Sequence, residues 1–209
     1  MQKYISKLVD LFLHPGKFIK SVSKEKDYWA LTKFFAVFYL FVLIIEVILN
    51  LLIGLRMGVT LNILNSLGAL AIGVVSAFAV PYVSAGLSHA GVWLFGGRQG
   101  FFNTFKPAVY GNMLYIIYSL LLLIITGIMQ LIMPIYPGML YNQTYPMVFI
   151  IMSGIFVLIG AVFSVYTQTM GVSLFQKISK GKAFLGSILI PLILVIIYLA
   201  IIASTLQVL

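Results

Sequence analysis

The chain has 209 residues, 62 % of them hydrophobic and only 8 % charged. A soluble domain carries roughly 25 % charged residues, so this composition excludes a surface built for water. The net charge of +9 comes from 13 Lys and Arg against 4 Asp and Glu; the bases flank apolar runs, a pattern of membrane orientation and not of a nucleic-acid surface.

The first 27 residues predict a cytoplasmic or interfacial segment. Lys3, Lys7, Asp10, Lys17 and Lys20 leave no apolar stretch long enough for a secretory h-region. Ile5, Leu8, Val9 and Phe12 share one helical face, and Lys3, Lys7 and Asp10 share the other. Pro15-Gly16 ends that helix. Such a helix lies in the headgroup layer, its lysines drawn to anionic lipid; the alternative is a short helix packed on the end of a bundle.

Five apolar segments follow, each reaching the ~20 residues that a helix needs to cross a bilayer. They cover residues 28–55, 63–95, 107–133, 146–175 and 184–204. The second is long, on the order of 50 Å at 1.5 Å per residue, and must tilt or project. Pro81 removes a backbone donor near its middle, and a kink is expected there. The fold class is therefore all-α: a bundle of five transmembrane helices with an N-terminal amphipathic interfacial helix.

Loop charges orient it. Seven lysines (3, 7, 17, 20, 24, 26 and 33), Arg98 and Lys106, and Lys177, Lys180 and Lys182 fall on one side, and Arg56 alone on the other. The positive-inside bias places the N-terminus in the cytoplasm and the C-terminus outside. Asn142-Gln143-Thr144 in the outer loop fits an N-glycosylation sequon, a three-residue pattern common by chance.

Each of the first four spans carries a stripe of small or polar residues, among them Glu46 and Asn50, Ser84 and Ser88, Asn112 and Gln130, and Ser164 and Gln168. Small and hydroxyl or amide side chains are the usual glue between membrane helices. The competing reading is a polar pathway, which needs the stripes to converge on a hydrated gap. Glu46 is the only acid within a span. A mid-membrane charge costs about 3 kcal/mol on insertion scales, so Glu46 is either a carboxyl satisfied by neighbours such as Asn50 or a proton or cation site. Glu46, Asn50, His89, Gln130 and Gln168 form the candidate intramembrane polar set, with His89 near the opposite end of its span from Glu46.

No cysteine, P-loop, H-E-x-x-H pair or cluster with metal spacing occurs in the sequence. One acid and one His within the spans do not supply the base, orienting group and charge stabilisers of a hydrolase or transferase. The expectation is a non-enzyme without cofactor. Five spans do not divide into two equal inverted repeats, which argues against a common transporter fold.

Residues 86–113 read GLSHAGVWLFGGRQGFFNTFKPAVYGNM. A polar helix end, a Gly-Gly loop, a base, an aromatic step and a third helix opening on small and aromatic residues together resemble the central signature of the Yip1 domain family. The stretch LVDLFLHPGKFIKSV at 8–22 resembles the opening of that family. The resemblance implies five spans, a cytoplasmic N-terminus and a role in organising membranes or membrane traffic. The chain lacks the long polar head and the Asp-Leu-Tyr-Gly-Pro-like motif of eukaryotic members. It thereby departs from the part of the family linked to small GTPases, and it resembles short prokaryotic members, which implies the cell membrane. Gly96, Gly97, Arg98, Phe101, Phe105 and Lys106 form a candidate loop for lipid headgroups or a partner, or else a well-anchored re-entry turn. The partners expected are the bilayer and its anionic headgroups, other membrane proteins and a second copy of the chain. The leading function is a membrane-organising scaffold; the alternative is a channel, transporter or lipid translocator using Glu46.

Overall fold

The computed structural model describes residues 2–56, 63–132 and 144–206. These residues form seven α-helices in order: α1 Gln2–Leu13, α2 Pro15–Ser21, α3 Tyr28–Arg56, α4 Ile63–Leu94, α5 Phe102–Ile132, α6 Thr144–Gln176 and α7 Lys180–Leu206, with a 3-10 turn Val22–Lys24 between α2 and α3. There is no strand among the described residues. Helices α3 to α7 are long and apolar enough to cross a membrane. In hydrocarbon every backbone N–H and C=O must be paired within the segment, which a helix alone achieves for one isolated chain segment. The sequon residues 142 and 143 lie outside the described residues.

Helix α3 packs on α4 and α5, α5 also on α4 and α6, and α7 on α4 and α6. The helices α1 and α2 lie against α5 and α6, at the end where the α4–α5 and α6–α7 turns gather Arg98, Lys177 and Lys180. This is the basic end of the bundle.

The spans differ from the sequence expectation mainly at two starts. Helix α5 begins at Phe102 and runs through Pro107, which was expected to open it. Phe102 and Phe105 pack on Tyr28, with ring centroids 4.4 and 5.1 Å apart, and this burial extends the helix backwards. Helix α7 begins at Lys180 and not at Phe184. Helix α4 is unbroken through Pro81.

Burial is one-sided along the bundle. The continuous core joins Leu11, Phe18 and Ile19 of the N-terminal helices to Phe34, Phe35, Val109, Tyr110 and Met113, all near the basic end. At the far end cover is sparse among the described side chains: Leu192 to Tyr198 of α7 are exposed at every position, as are Leu67 and Ile72 of α4 and Ile155, Val157 and Leu158 of α6.

Local chemistry sets the ends of the elements. Asp27 Oδ1 accepts the N–H groups of Trp29 and Ala30 at 2.9 and 3.1 Å and caps α3. At the end of α6, Lys177 has φ 55°, the left-handed region, and Ile178 N–H returns to Ser173 O at 3.3 Å. That closure suits glycine. Lys177→Gly is expected to raise stability by about 1 kcal/mol, read as a higher unfolding midpoint in detergent. An unchanged or lower midpoint would mean that the lysine side chain holds the turn.

Candidate functional site

The densest polar arrangement lies at the basic end, around Lys106. An ammonium carries three donors and no acceptor. Lys106 Nζ, on a residue only 1 % exposed, donates to Val22 O at 3.0 Å, Ser23 O at 2.9 Å and Glu25 O at 2.9 Å. Val22 O also accepts Glu25 N–H at 3.1 Å, while the Ser23 and Glu25 carbonyls stand past the helix end, where acceptors lack intrahelical partners. The lysine therefore supplies what the turn lacks. Its charge also lies over the Phe175 and Phe102 rings, at 4.3 and 5.3 Å.

A second layer adjoins it. Tyr110 Oη donates to Glu25 Oε2 at 2.6 Å, and Lys7 Nζ pairs with Glu25 Oε1. Lys7 also lies 5.6 Å from the Phe34 ring centroid. Three segments distant in sequence, α1, the α2–α3 connection and α5, thus meet through one carboxylate.

The α4–α5 turn is held from the other side. Gln176, 2 % exposed, accepts Gln99 N–H at 2.8 Å through Oε1. Its amide donates to Gly100 O at 2.8 Å and Thr104 Oγ1 at 2.9 Å. Gly96 and Gly100 take φ 91° and 89°, conformations open to glycine, and a Cβ on Gly97 would overlap Val92.

This geometry divides the candidate loop. Arg98 is exposed and stacks over Trp93 at 5.0 Å, while Gly96 is exposed and Gly97 buried. Phe101 is partly covered. Phe105 is fully buried and Lys106 nearly so, which corrects their reading as headgroup contacts: the aromatic step turns inward, onto Tyr28 and Tyr82. Trp93 and Trp29 are about half exposed, each under a cation, Lys33 standing 5.2 Å from Trp29, as aromatic side chains do at a membrane interface.

The described members of the intramembrane set do not assemble. His89 Nδ1 lies 2.9 Å from Thr104 Oγ1 and its ring meets Phe101 edge-on. Gln168 donates to Ser88 Oγ at 2.7 Å, and Ser88 donates to Ser187 O at 3.4 Å; Asn112 donates to Ser84 Oγ at 2.7 Å. These bonds join α4 to α5, α6 and α7 as packing contacts. Glu46 and Asn50 are exposed and form no hydrogen bond with each other. Leu43 and Leu49, three residues to either side of Glu46, meet Gly73 of α4 and Gly127 of α5. Glu46 therefore faces between those two helices, where the far halves are thinly covered. Gly111 of α5 lies beside Gln168, so Gln168 is roughly 16 residues, or about 24 Å, along α5 from the Gly127 level near Glu46. The side chain of Gln130 lies outside the described residues.

Sequence reasoning missed Glu25, Tyr110, Thr104 and Gln176. Glu25 stood outside every span, and nothing local marked its partners. For Lys106 a signal was present: a lysine four residues into an apolar, aromatic helix start has little water to face.

No group of His, Cys, Asp and Glu that could hold a metal occurs among the described residues. A family model described as the Yip1 domain matches residues 9–202. No curated protein matches the chain, and no solved structure does.

Proposed function

The chain belongs to the Yip1 domain family, and from that membership, with its five apolar helices, we propose that it is a non-enzymatic scaffold that shapes the membrane around it. The proposal places the basic end in the cytoplasm of a cell whose surface membrane holds the protein, as the loop charges favour.

The observation that carries it is the placement of α1. One side of α1 brings Lys7 to a charged pocket with Glu25, Lys26 and Asp27 at the start of α3. Its other side brings Leu8, Phe12 and Leu13 to an apolar groove with Phe38 and Leu121, a turn deeper along α3 and farther along α5. Helix α1 thus crosses the bundle surface at the border between polar and apolar layers. Ile5, Val9 and Leu13, spaced by four, remain 56, 47 and 59 % exposed. A stripe of that kind inserts among the headgroups and acyl chains of one leaflet.

The locked contacts at Glu25 and Lys106 turn this insertion into a fixed wedge. Added cross-section in one leaflet only bends the bilayer away from the other. The curvature is convex toward the basic end. The dispersed positions of Glu46, His89 and Gln168 favour this reading over a conducting path.

The test is reconstitution into liposomes with imaging of vesicle size. Wild type is expected to narrow the vesicles, and Ile5→Ser with Val9→Ser and Leu13→Ser to lose that effect while keeping the fold. Equal vesicle sizes with and without protein would sink the proposal. The same liposomes read proton and cation flux: flux abolished in Glu46→Gln would replace the scaffold by the transport alternative.

A further inference from the structure

We infer that the groove between α6 and α7 is a binding site for one anionic phospholipid of the leaflet at the basic end. The groove has a volume of about 520 Å³ and is lined by Val162, Tyr166 and Met170 of α6 and by Lys180, Phe184 and Ile188 of α7. Both sets recur every four residues, so each is one continuous strip of its helix.

The chemistry along the groove is graded. At the mouth stands Lys180, exposed and without an ion-pair partner among the described residues. It is also the first residue of a 27-residue helix; Ser179 Oγ accepts the Lys182 N–H at 3.4 Å, and the remaining opening N–H groups and positive dipole end attract an anion. Lys177 in the preceding turn and Lys182 two residues on add positive charge at this end of the helix, although Lys182 points away from Lys180. A Cβ on Gly181 would meet nothing within 4 Å, so the approach to that backbone is open. Below the mouth the walls are apolar except for Thr169, whose hydroxyl is buried, and Val162, Tyr166 and Phe184 are roughly half exposed to the surroundings.

The dimensions fit a lipid chain. From Lys180 to Ile188 α7 rises about 12 Å, close to the ~15 Å depth of one leaflet's hydrocarbon. A basic mouth over an interhelical apolar groove selects a phosphate-bearing headgroup with no compensating cation. A zwitterionic lipid would bring its own ammonium to the lysines. This site is separate from the α1 wedge and does not depend on it.

The test uses the purified full chain in mild detergent, with phosphatidylglycerol and phosphatidylcholine of equal chain length and bound lipid counted by native mass spectrometry. Wild type is expected to hold one phosphatidylglycerol with about tenfold preference, from one lysine and a helix end acting together. Lys180→Gln is expected to reduce that preference about fivefold without changing phosphatidylcholine binding. Val165 also lines the groove, and Val165→Trp, which fills it, is expected to remove both lipids. Because Lys180 is exposed, its variant keeps the fold, and the charge result stands even where the tryptophan variant does not fold. Equal binding of the two lipids, or a preference unchanged in Lys180→Gln, overturns the inference. Displacement of the lipid by glycerol 1-phosphate would make this a site for a soluble phosphate and would likewise overturn it.

Discussion

Lys106→Met is expected to destabilise the protein by about 3 kcal/mol or more. Removing one partner of a buried polar contact exposes the desolvation cost of those left behind, about 1–3 kcal/mol for each group. Here the carbonyls of Val22, Ser23 and Glu25 lose a shared donor at once. Val22 O keeps the Glu25 N–H, and the Ser23 and Glu25 carbonyls lie toward the surface, where water recovers part of the cost, which holds the figure below the full sum. Methionine restores the volume of the side chain but not its donors. The N-terminal arm should detach before the spans separate. Two measurements check this: a lower unfolding midpoint in detergent, and faster proteolysis between residues 14 and 27. An unfolding midpoint and cleavage rate equal to wild type would mean that the arm is held by its apolar contacts, Leu11, Phe18 and Ile19, alone.

Gly91→Val is expected to release α7. Gly91 and Gly186 stand back to back where α4 crosses α7; a Cβ on Gly91 would overlap the Gly186 carbonyl, and one on Gly186 would come 2.8 Å from Val92 Cα. Backbone atoms cannot swing aside, so the helices must part. Overpacking costs about 1–3 kcal/mol and sometimes more, whereas Gly→Ala in a helix gains only about 1 kcal/mol in propensity. The contact therefore outweighs the propensity, and even Gly91→Ala should destabilise. The buried residues of α7, among those described, are Ala183, Gly186 and Ser187, so this crossing is where the described part of the helix is anchored most firmly. The chain contains no cysteine, which makes the test direct. Ser187→Cys should resist a permeant maleimide in the wild-type background and react in Gly91→Val. Equal protection in both would show that the helices accommodate the side chain.

The sequence made the spans legible because hydrocarbon imposes a single demand, a long apolar helix, that composition alone reveals. The stripe on α4 was also readable as packing: Gly73 receives Leu43, Ser88 receives Gln168, and Gly91 receives Gly186. What stayed hidden was which polar residues meet. Lys106 looked like a surface base because a lysine beside a loop ordinarily reaches water, and only the fold brings the carbonyls of Val22, Ser23 and Glu25 above it. Glu25 is 85 residues from Tyr110 and 18 from Lys7, so no local spacing signals their meeting. Glu46 is the reverse case. Its place in the polar stripe of α3 was visible, but its exposure beside the Leu43–Gly73 and Leu49–Gly127 contacts was not, because a repeat of small residues fixes contact where it occurs and says nothing of where contact ends.

The uneven burial along the bundle gives the molecule two mechanical regimes. The basic half behaves as a stiff collar, with its rings interlocked and its buried lysine saturated. The far half-helices, with few side chains keyed into one another, can lean individually at little cost. A change in bilayer thickness or lateral pressure is then absorbed almost wholly by the far leaflet, since tilt is the cheapest answer to mismatch. The collar, and whatever docks on it, keeps its shape from one membrane to the next.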